Sequence, residues 1–240
     1  MISLELPGIR RVALLAAHCD DLPIGAGGSL LTLCAGRGDL VVHALVLSGA
    51  GTVREDEERA ALADFCAPAR VELTVLDLPD GRMPAHWTAA KDAIAALRGR
   101  FDPDVVFAPH REDRHQDHRL VAEIVPQVFR DHLVLGYEIP KWDGDLGQPP
   151  VYQPLTEQTA RRKAGLLAKH YPSQHGKDWY TEDAFLSLAR LRGIQQHLAY
   201  AEAFHVEKLA LTLGPSASPS ASPSVLPSVP ATTAPRRPAD

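Results

Sequence analysis

The sequence predicts an α/β protein in which a mostly parallel sheet carries helices on both faces. Two observations lead to this prediction: short apolar runs alternate with helix-like stretches, and short connections join them. Strands that are buried on both faces are expected to be apolar along their length. Hydrophobic residues make up 45% of the 240 residues and charged residues 23%, which is enough for one packed core.

Turn residues bound each of the apolar runs that we assign to strands. The five strands are placed at residues 11–17, 40–47, 71–76, 105–108 and 133–137. Helix patterns are placed at residues 29–37, 55–66, 87–100, 118–130, 156–170 and 181–200. A final alternating run at residues 203–211 is expected to add an edge strand. The predicted architecture is a Rossmann-like, doubly wound single domain, with strands one and four side by side.

The composition changes sharply after Leu213. Residues 214–240 contain seven prolines and six serines and repeat Ser-Ala-Ser-Pro. Such a segment cannot bury enough apolar surface to offset the entropy of ordering the chain. We therefore predict a folded domain at residues 1–213 and a disordered tail at residues 214–240.

Charge, hydropathy and cysteine content exclude several classes of partner. The net charge of −5 leaves no basic excess for a nucleic-acid backbone, and no apolar run approaches the roughly 20 residues of an integral membrane segment. An odd number of cysteines, three, favours the reducing cytoplasm. Arg10-Arg11 imitates a signal peptide, but the apolar stretch at residues 12–17 is too short, so we predict a buried strand. The sequence gives no oligomeric state.

Polar side chains gather where the first and fourth strands are expected to end. The two clusters are residues 17–21 and residues 109–118. Open α/β sheets place their functional groups beyond the carboxyl ends of the strands, and strands one and four should be neighbours. The two clusters are therefore expected to meet in one crevice.

Three imidazoles and three carboxylates lie within nine residues of the second cluster. His115 and His118 are three residues apart and would share one face of a helix start. Neutral imidazole with carboxylate is a common ligand set for zinc and similar ions, whereas a polar loop with solvated histidines is the alternative for this segment alone. The six residues are His110, Glu112, Asp113, His115, Asp117 and His118.

The first cluster strengthens the metal hypothesis. Asp20 and Asp21 stand next to a buried strand and close to His18, and such charges are costly to bury unless they are paired or bind a metal. One histidine and one aspartate here, with one histidine of the second cluster, would leave a coordination position open for water, as in catalytic zinc sites. Cys19 is disfavoured as a ligand because its thiolate would stand beside two aspartates.

Glycines follow the first cluster at residues 25–28. Their Gly-x-Gly-Gly spacing is a weak dinucleotide fingerprint, and two aspartates nearby would repel a pyrophosphate. We interpret them as a site where a helix packs closely on the sheet.

Together these motifs resemble a known family, the PIG-L/LmbE-like zinc-dependent N-deacetylases, over roughly residues 10–211. Ala17-His18-Cys19-Asp20-Asp21 with Gly25-x-Gly27-Gly28 resembles the family's Ala-His-Pro-Asp-Asp-Glu…Gly-x-Gly-Gly motif, and residues 115–119 resemble its His-Pro-Asp-His-Arg motif. Two positions depart from the pattern: Cys19 replaces the proline, and Leu22 replaces the acidic residue after the aspartates.

The resemblance implies a role for each matching residue. It implies that His18, Asp21 and His118 bind the metal, zinc or another divalent ion such as iron(II). It implies that Asp20 is the general base. His115 would stabilise the oxyanion or protonate the leaving amine, and Asp117 would orient His115; the sequence does not decide between Asp20 and His115 as the proton donor.

Several further residues are candidates for substrate binding. Arg54 and Arg59 follow strand two, and each is either a substrate ligand or a surface arginine paired with a nearby glutamate. Asp113 either contacts sugar hydroxyls or supports the helix at His118. The turn at residues 80–82 is a possible rim of the pocket, and the aromatic residues at 137–142 would either stack on a sugar or anchor a loop.

The resulting hypothesis is a metal-dependent hydrolase that removes the acetyl group from an N-acetylated amino sugar or glycoconjugate. Its partner is then a small molecule. Two rivals are an amidase that acts on a larger amide, such as a thiol conjugate, and a nucleotide- or sugar-binding Rossmann-like module without catalysis.

Overall fold

Within residues 3–211, which the computed structural model describes, seven strands form one sheet. They are β1 (Arg11–Ala16), β2 (Val41–Val46), β3 (Arg70–Val75), β4 (Val105–Pro109), β5 (Val134–Tyr137), β6 (Val151–Leu155) and β7 (Tyr200–His205). The spatial order is β3-β2-β1-β4-β5-β7-β6, in which the first five strands are parallel and β7 runs antiparallel to both β5 and β6. The predicted α/β class is confirmed, and so is the neighbourhood of β1 and β4.

Six α-helices connect the strands in the described part of the chain. They are α1 (Asp21–Cys34), α2 (Val53–Phe65), α3 (Trp87–Arg100), α4 (Gln116–Val128), α5 (Glu157–His170) and α6 (Glu182–Gln195). Short 3-10 turns precede α3 and follow α5. Among these described helices none is long and apolar enough to cross a membrane.

The sheet separates two apolar layers, and β1 contributes to both because successive side chains of a strand point to opposite faces. Val12 and Leu14 belong to the layer that also contains buried residues of α1, α2, α5 and α6, whereas Ala13 and Leu15 belong to the layer that contains those of α3 and α4. All four side chains are fully buried. Helices therefore cover both faces of the sheet, as predicted.

Two elements differ from the sequence prediction. The first helix begins at Asp21 rather than at residue 29, and its first turn accepts Pro23 because the early amide groups of a helix have no partner within it. The last strand, β7, spans Tyr200–His205 and lies inside the sheet, because the unpredicted strand β6 pairs with its outer side. Pro154 is tolerated in β6 because that strand is at the edge.

The glycines at the start of α1 are positions of close packing, as interpreted. A Cβ atom on Gly25 would lie 2.3 Å from the ring of Tyr137, and one on Gly27 would lie 2.7 Å from the ring of Phe65. The helix therefore approaches its neighbours at a distance that only glycine allows. The predicted tail at residues 214–240 lies outside the described residues.

Candidate active site

The two polar clusters meet because β1 and β4 are adjacent and in register. Val12 pairs with Val105 and Leu14 pairs with Phe107, so both strands end at the same edge of the sheet. A four-residue connection then leads from β1 into α1, and a six-residue connection leads from β4 into α4. The polar residues of both connections consequently face one crevice.

His18, Asp21 and His118 bring three ligand atoms together. The Nδ1 atom of His18 lies 3.1 Å from the Nε2 atom of His118. That Nε2 atom lies 3.2 Å from Oδ1 of Asp21, and His18 Nδ1 lies 3.6 Å from Oδ2 of Asp21. Ligand atoms around a tetrahedral zinc ion are separated by about 3.3–3.5 Å, given bonds of about 2.0–2.1 Å. These distances are close to that spacing, so the two imidazole nitrogens and the Asp21 carboxylate are candidates to hold one ion.

Each of the two histidines is backed by a carboxylate on its other ring nitrogen. Asp117 Oδ2 lies 3.1 Å from His18 Nε2, and Asp113 Oδ2 lies 2.8 Å from His118 Nδ1. A carboxylate at that position accepts the ring N–H, so that the facing nitrogen of a neutral ring has a free lone pair. Both rings are thereby oriented as metal ligands.

Asp21 is fixed by the backbone that precedes it. Its Oδ2 atom accepts the N–H groups of Ala17 (3.1 Å) and His18 (2.9 Å), which keeps Oδ1 directed at His118. Burial raises the pKa of the Asp21 carboxyl, but His118 and His18 outweigh that effect and hold the pKa well below its usual range. Conversely, burial lowers the pKa of His118, and Asp21 and Asp113 raise it to about 9.

Asp20 has a backbone conformation that residues other than glycine seldom adopt. Its φ is 107°, directly before the first residue of α1, and its N–H donates to Oε2 of Glu58 at 2.8 Å. The buried carboxylate lies 3.0 Å from the Nη2 atom of Arg54. Burial raises the pKa of Asp20 to about 6, against the opposing charge of Arg54. The pKa of this buried carboxyl therefore lies closer to neutral pH than that of an ordinary aspartate.

Glu58 is a residue of this site that the sequence analysis missed. It is fully buried, and its Oε2 atom accepts both the Asp20 N–H and the Tyr171 hydroxyl, the latter at 2.5 Å. Burial raises the pKa of Glu58 to about 8. No motif in the sequence marks it, because it lies in an acidic helix start that resembles an ordinary solvated face.

His115 stands beside the two metal-ligand candidates. Its ring centroid is 4.8 Å from that of His18 and 4.7 Å from that of His118. The Asp117 backbone N–H donates to His115 Nδ1 at 3.3 Å, so the neutral ring carries its proton on Nε2. Burial and the neighbouring histidines lower the pKa of His115, which favours that neutral form.

Asp80 is a second residue that the predicted ligand set omitted. It belongs to the turn at residues 80–82, and its Oδ1 atom lies 3.0 Å from Nε2 of His18. Ligand atoms of two overlapping groups lie within 4.8 Å of one another: one group is His18, His115 and His118, and the other is His18, Asp80, His115 and Asp117. The turn after β3 therefore forms part of the rim, as its composition suggested.

The structure gives the contacts of the other candidate residues. Asp113 is fully buried and contacts His118, Lys141 and the His115 N–H, which agrees with the supporting role among its two alternatives. The expectation that Asp117 orients His115 needs correction: its carboxylate faces His18 Nε2 and accepts the N–H groups of Gly81 and Met83. The hydrogen bond from Asp117 to His115 is donated by the backbone N–H of Asp117.

The two arginines that follow β2 have different surroundings. Arg59 is exposed and pairs with Glu55 at 2.8 Å across one helical turn, which is the surface alternative. Arg54 contacts the Asp20 carboxylate and the Cys19 carbonyl oxygen. Cys19 directs its sulfur at the Ser48 carbonyl oxygen, and burial raises the pKa of its thiol, so it is not placed as a metal ligand.

Comparisons with known proteins agree with this architecture. Residues 13–129 match the PIG-L family model, described as GlcNAc-PI de-N-acetylase. A protein of Escherichia coli K12 described as uncharacterized deacetylase YaiS is 30% identical over 171 residues, which cover 65% of this chain and 88% of that protein.

Two solved structures are similar at lower identity. The N,N'-diacetylchitobiose deacetylase of Pyrococcus horikoshii is 18% identical, with a TM-score of 0.63 over 82% of this chain and 84% of that one. GalB, the 4-carboxy-2-hydroxymuconate hydratase of Pseudomonas putida KT2440, is also 18% identical, with a TM-score of 0.68 over 87% of this chain and 100% of that one. Because one fold carries both a deacetylase and a hydratase, these two structures establish the fold alone.

Proposed function

Since the chain belongs to the PIG-L family of de-N-acetylases, we propose that it is a metal-dependent hydrolase of an N-acetylated amino sugar or glycoconjugate. The observation that carries the proposal is the pair of carboxylate-backed histidines, His18 and His118, whose facing nitrogens converge with Asp21.

The donor set fits a divalent ion that keeps one coordination position open. Two imidazole nitrogens and one carboxylate oxygen are the typical protein ligands of catalytic zinc, and iron(II) accepts the same set. His18, Asp21 and His118 would hold the ion. It would supply a water molecule with a pKa near 7 and would polarise the carbonyl of the acetamide.

Asp20 and His115 carry out the proton transfer and the hydrogen bonding that the reaction requires. Asp20 accepts a proton from the attacking water, and its backbone is held for that task by Glu58. The Nε2–H group of neutral His115 donates a hydrogen bond to the carbonyl oxygen as negative charge develops on it. When the C–N bond breaks, Asp20 and His115 are the two candidate donors of the proton that the departing amine requires.

Arg54 contributes to the same step by its contact with Asp20. The guanidinium lies 3.0 Å from Oδ2 of the base and stabilises its ionised form against burial. Arg54 also remains the one candidate of the two arginines for contact with a polar group of the substrate. The preference for an amino sugar is supported by the activities by which the family and the Pyrococcus horikoshii enzyme are described.

An acyl-release assay with two active-site variants tests this proposal. Zinc-loaded protein should release acetate from N-acetylglucosamine compounds faster than it releases larger acids from the matching N-acyl compounds. Asp20→Asn and His115→Ala should bind zinc normally but lose about 10²–10⁴-fold in kcat. Asparagine tolerates the positive φ at position 20, so the first variant removes the base without disturbing the backbone.

Three other outcomes would refute parts of the proposal. Preferred release of a larger acid would identify an amidase of another substrate class. Near-normal kcat in Asp20→Asn would remove Asp20 from the role of base. A protein that binds the sugars with unchanged affinity after Asp20→Asn, and releases no acid at all, would be a binding module.

A further inference from the structure

A cavity of about 220 Å³ lies outside the candidate active site. Its wall includes Ala122 of α4, Gly136 of β5 and His205 at the end of β7. None of the residues that we assign to the metal, the base or the oxyanion lines it. Two residues of the second polar cluster, His110 and Glu112, line this cavity instead, so the chemistry proposed above does not account for them.

Three histidines of the wall have a buried ring nitrogen without a hydrogen-bond partner. These atoms are His110 Nδ1, His132 Nδ1 and His205 Nε2, three of the seven such side-chain atoms within residues 3–211. His110 is only 3% exposed, and its ring stacks on that of His205 with centroids 4.6 Å apart. Because buried polar atoms are normally paired, three unpaired nitrogens around one cavity point to a ligand that forms hydrogen bonds there.

The unpaired groups whose role is defined by their neighbours are hydrogen-bond acceptors. His132 Nε2 lies 3.0 Å from Oδ1 of Asp102 and donates to it, which leaves Nδ1 of the neutral ring as an acceptor. Pro126 stands inside α4 and has no N–H, so the carbonyl oxygen of Ala122 lacks its usual helical donor. Ala122 and Pro126 both line the cavity. A matching ligand therefore has to donate hydrogen bonds.

The charges on the wall of the cavity cancel. Its positively charged residues are Arg111 and Lys208, and its negatively charged residues are Glu112 and Glu207. Arg111 already pairs with Glu207 at 3.1 Å. Burial lowers the pKa of His110 to about 4, so this ring is uncharged at neutral pH. The wall as a whole consequently favours neither an anion nor a cation.

The size of the cavity and its apolar side chains favour a single small ring. Val125 and Phe129 line it and are fully buried. An apolar cavity of about 150 Å³ is sufficient for benzene, so this one has room for a ring with a substituent. Water is a poor occupant because each buried water molecule needs about two to four polar partners. A sugar is a poor occupant because most of its hydroxyl groups would lose their hydrogen bonds.

We propose that this cavity is a second ligand site, which binds a small uncharged ring compound that donates hydrogen bonds, such as a phenol. The ring packs against the apolar side chains of the wall. Its hydroxyl group supplies the donor that His132 Nδ1 and the Ala122 carbonyl oxygen lack. The inference does not depend on the proposed hydrolase, because the residues of the metal site do not line the cavity.

A titration of isotope-labelled, full-length protein with phenol, followed by the backbone amide signals in NMR spectra, tests this site. Phenol should shift the signals of Ala122 and Gly136 saturably. It should bind about 3–10-fold more tightly than toluene, which has the same ring without a donor. Benzoate should bind more weakly than phenol, because its charge would be buried without a net opposite charge.

Two variants and a matched control locate the binding. Ala122→Leu should abolish phenol binding because the larger side chain fills the cavity, and His132→Phe should reduce the affinity for phenol to that for toluene. His43→Phe is the control: His43 is also stacked on an aromatic ring, that of Phe101 at 3.9 Å, but it does not line the cavity. The affinity of this control for phenol should be unchanged.

Several results would overturn the proposal. One is the absence of saturable shifts at Ala122 and Gly136, and another is a phenol affinity that neither Ala122→Leu nor His132→Phe lowers. Equal affinities for phenol and toluene, or tighter binding of benzoate, would contradict the predicted chemistry of the ligand. Phenol binding that appears only after residues 214–240 are deleted would show that this segment is the occupant of the cavity.

Discussion

At the scale of single residues, the site depends on carboxylates that act through histidines. Asp113 and Asp117 do not need to touch an ion or a substrate to determine the direction in which the lone pairs of His118 and His18 point. Such partners commonly change metal affinity by 10–100-fold when they are removed. Their contribution is therefore measurable apart from the chemistry of the reaction.

Asp113→Asn should weaken zinc binding by roughly 10–100-fold, because the amide no longer selects the Nδ1–H form of His118. Competition with a chelator of known affinity measures the effect. Asp145→Asn is the matched control: Asp145 contacts the same lysine, Lys141, at 2.7 Å but does not contact His118. Equal loss of affinity in both variants would show that Asp113 acts through Lys141 rather than through the histidine.

Glu58 makes stability dependent on pH. Its pKa is raised by burial from an ordinary 4.5 to about 8, so the folded state binds the proton more tightly than the unfolded state does. The stability it contributes is complete below pH 4.5 and is lost as the pH rises to about 8. The loss approaches about 1.4 kcal/mol per pH unit in that interval.

Glu58→Gln imitates the protonated side chain and should remove this dependence. The free energy of unfolding of the variant, relative to the unsubstituted protein, should rise between pH 5 and pH 8 and then level off. Urea titrations at several pH values measure it, on protein prepared without metal. A difference that stays constant over this range would mean that Glu58 does not titrate as described.

The sequence could predict the residues of the metal site because both motifs are local. His18, Asp20 and Asp21 are contiguous, and so are His115, Asp117 and His118, so only the pairing of two strands was needed to bring them together. Glu58 and Tyr171 could not be found in this way. They reach the site from two other elements, α2 and the end of α5, and their significance lies in burial that no short pattern reveals.

At the scale of elements, the turn from β1 into α1 determines the geometry of the site. The helix starts immediately after Asp20, and its glycines let it lie against Tyr137 of β5. The same glycines, together with Pro23, hid the start of the helix from the sequence analysis, because both residue types lower helix propensity. The strand β6 was missed for a similar reason, since it contains Pro154.

Gly25→Ala should therefore be costly, because a methyl group at this position would lie 2.3–2.9 Å from the ring and Cβ of Tyr137. We expect a loss of about 1–3 kcal/mol in the free energy of unfolding. Gly165→Ala in α5 is the control, since a Cβ there meets nothing within 4 Å; it should stabilise the protein by about 0.5–1 kcal/mol. Thermal unfolding of the two variants measures the difference in stability. If Gly25→Ala were as stable as Gly165→Ala, the close packing of Gly25 on Tyr137 would be contradicted.

At the scale of the whole molecule, the alternation of strands and helices was enough to predict the sheet and its switch point. The antiparallel pair β7 and β6 was not predictable from that alternation, because β6 contains Pro154 and was not recognised as a strand. The prediction of a folded domain at residues 1–213 with a separate tail stays a proposal. The shift to proline, serine and alanine supports it.

Deleting residues 214–240 tests that proposal. The shortened chain should keep its midpoint of thermal unfolding within about 1 °C and its kcat within about twofold, because a segment of this composition contributes no core. Circular dichroism and the acetate-release assay provide the two readouts. A large fall in either quantity would place the tail in the fold or in the site.

The central claim is that His18, Asp21 and His118 bind one divalent ion between them. The most direct measurement is the metal content of zinc-loaded, desalted protein, determined by mass spectrometry for the unsubstituted chain and for His18→Ala, Asp21→Ala, His118→Ala and Asp20→Asn. We predict one zinc ion per chain in the unsubstituted protein and in Asp20→Asn, and much less than one in each of the other three variants. Full zinc content in the three ligand variants, or none in the unsubstituted protein, would contradict the account.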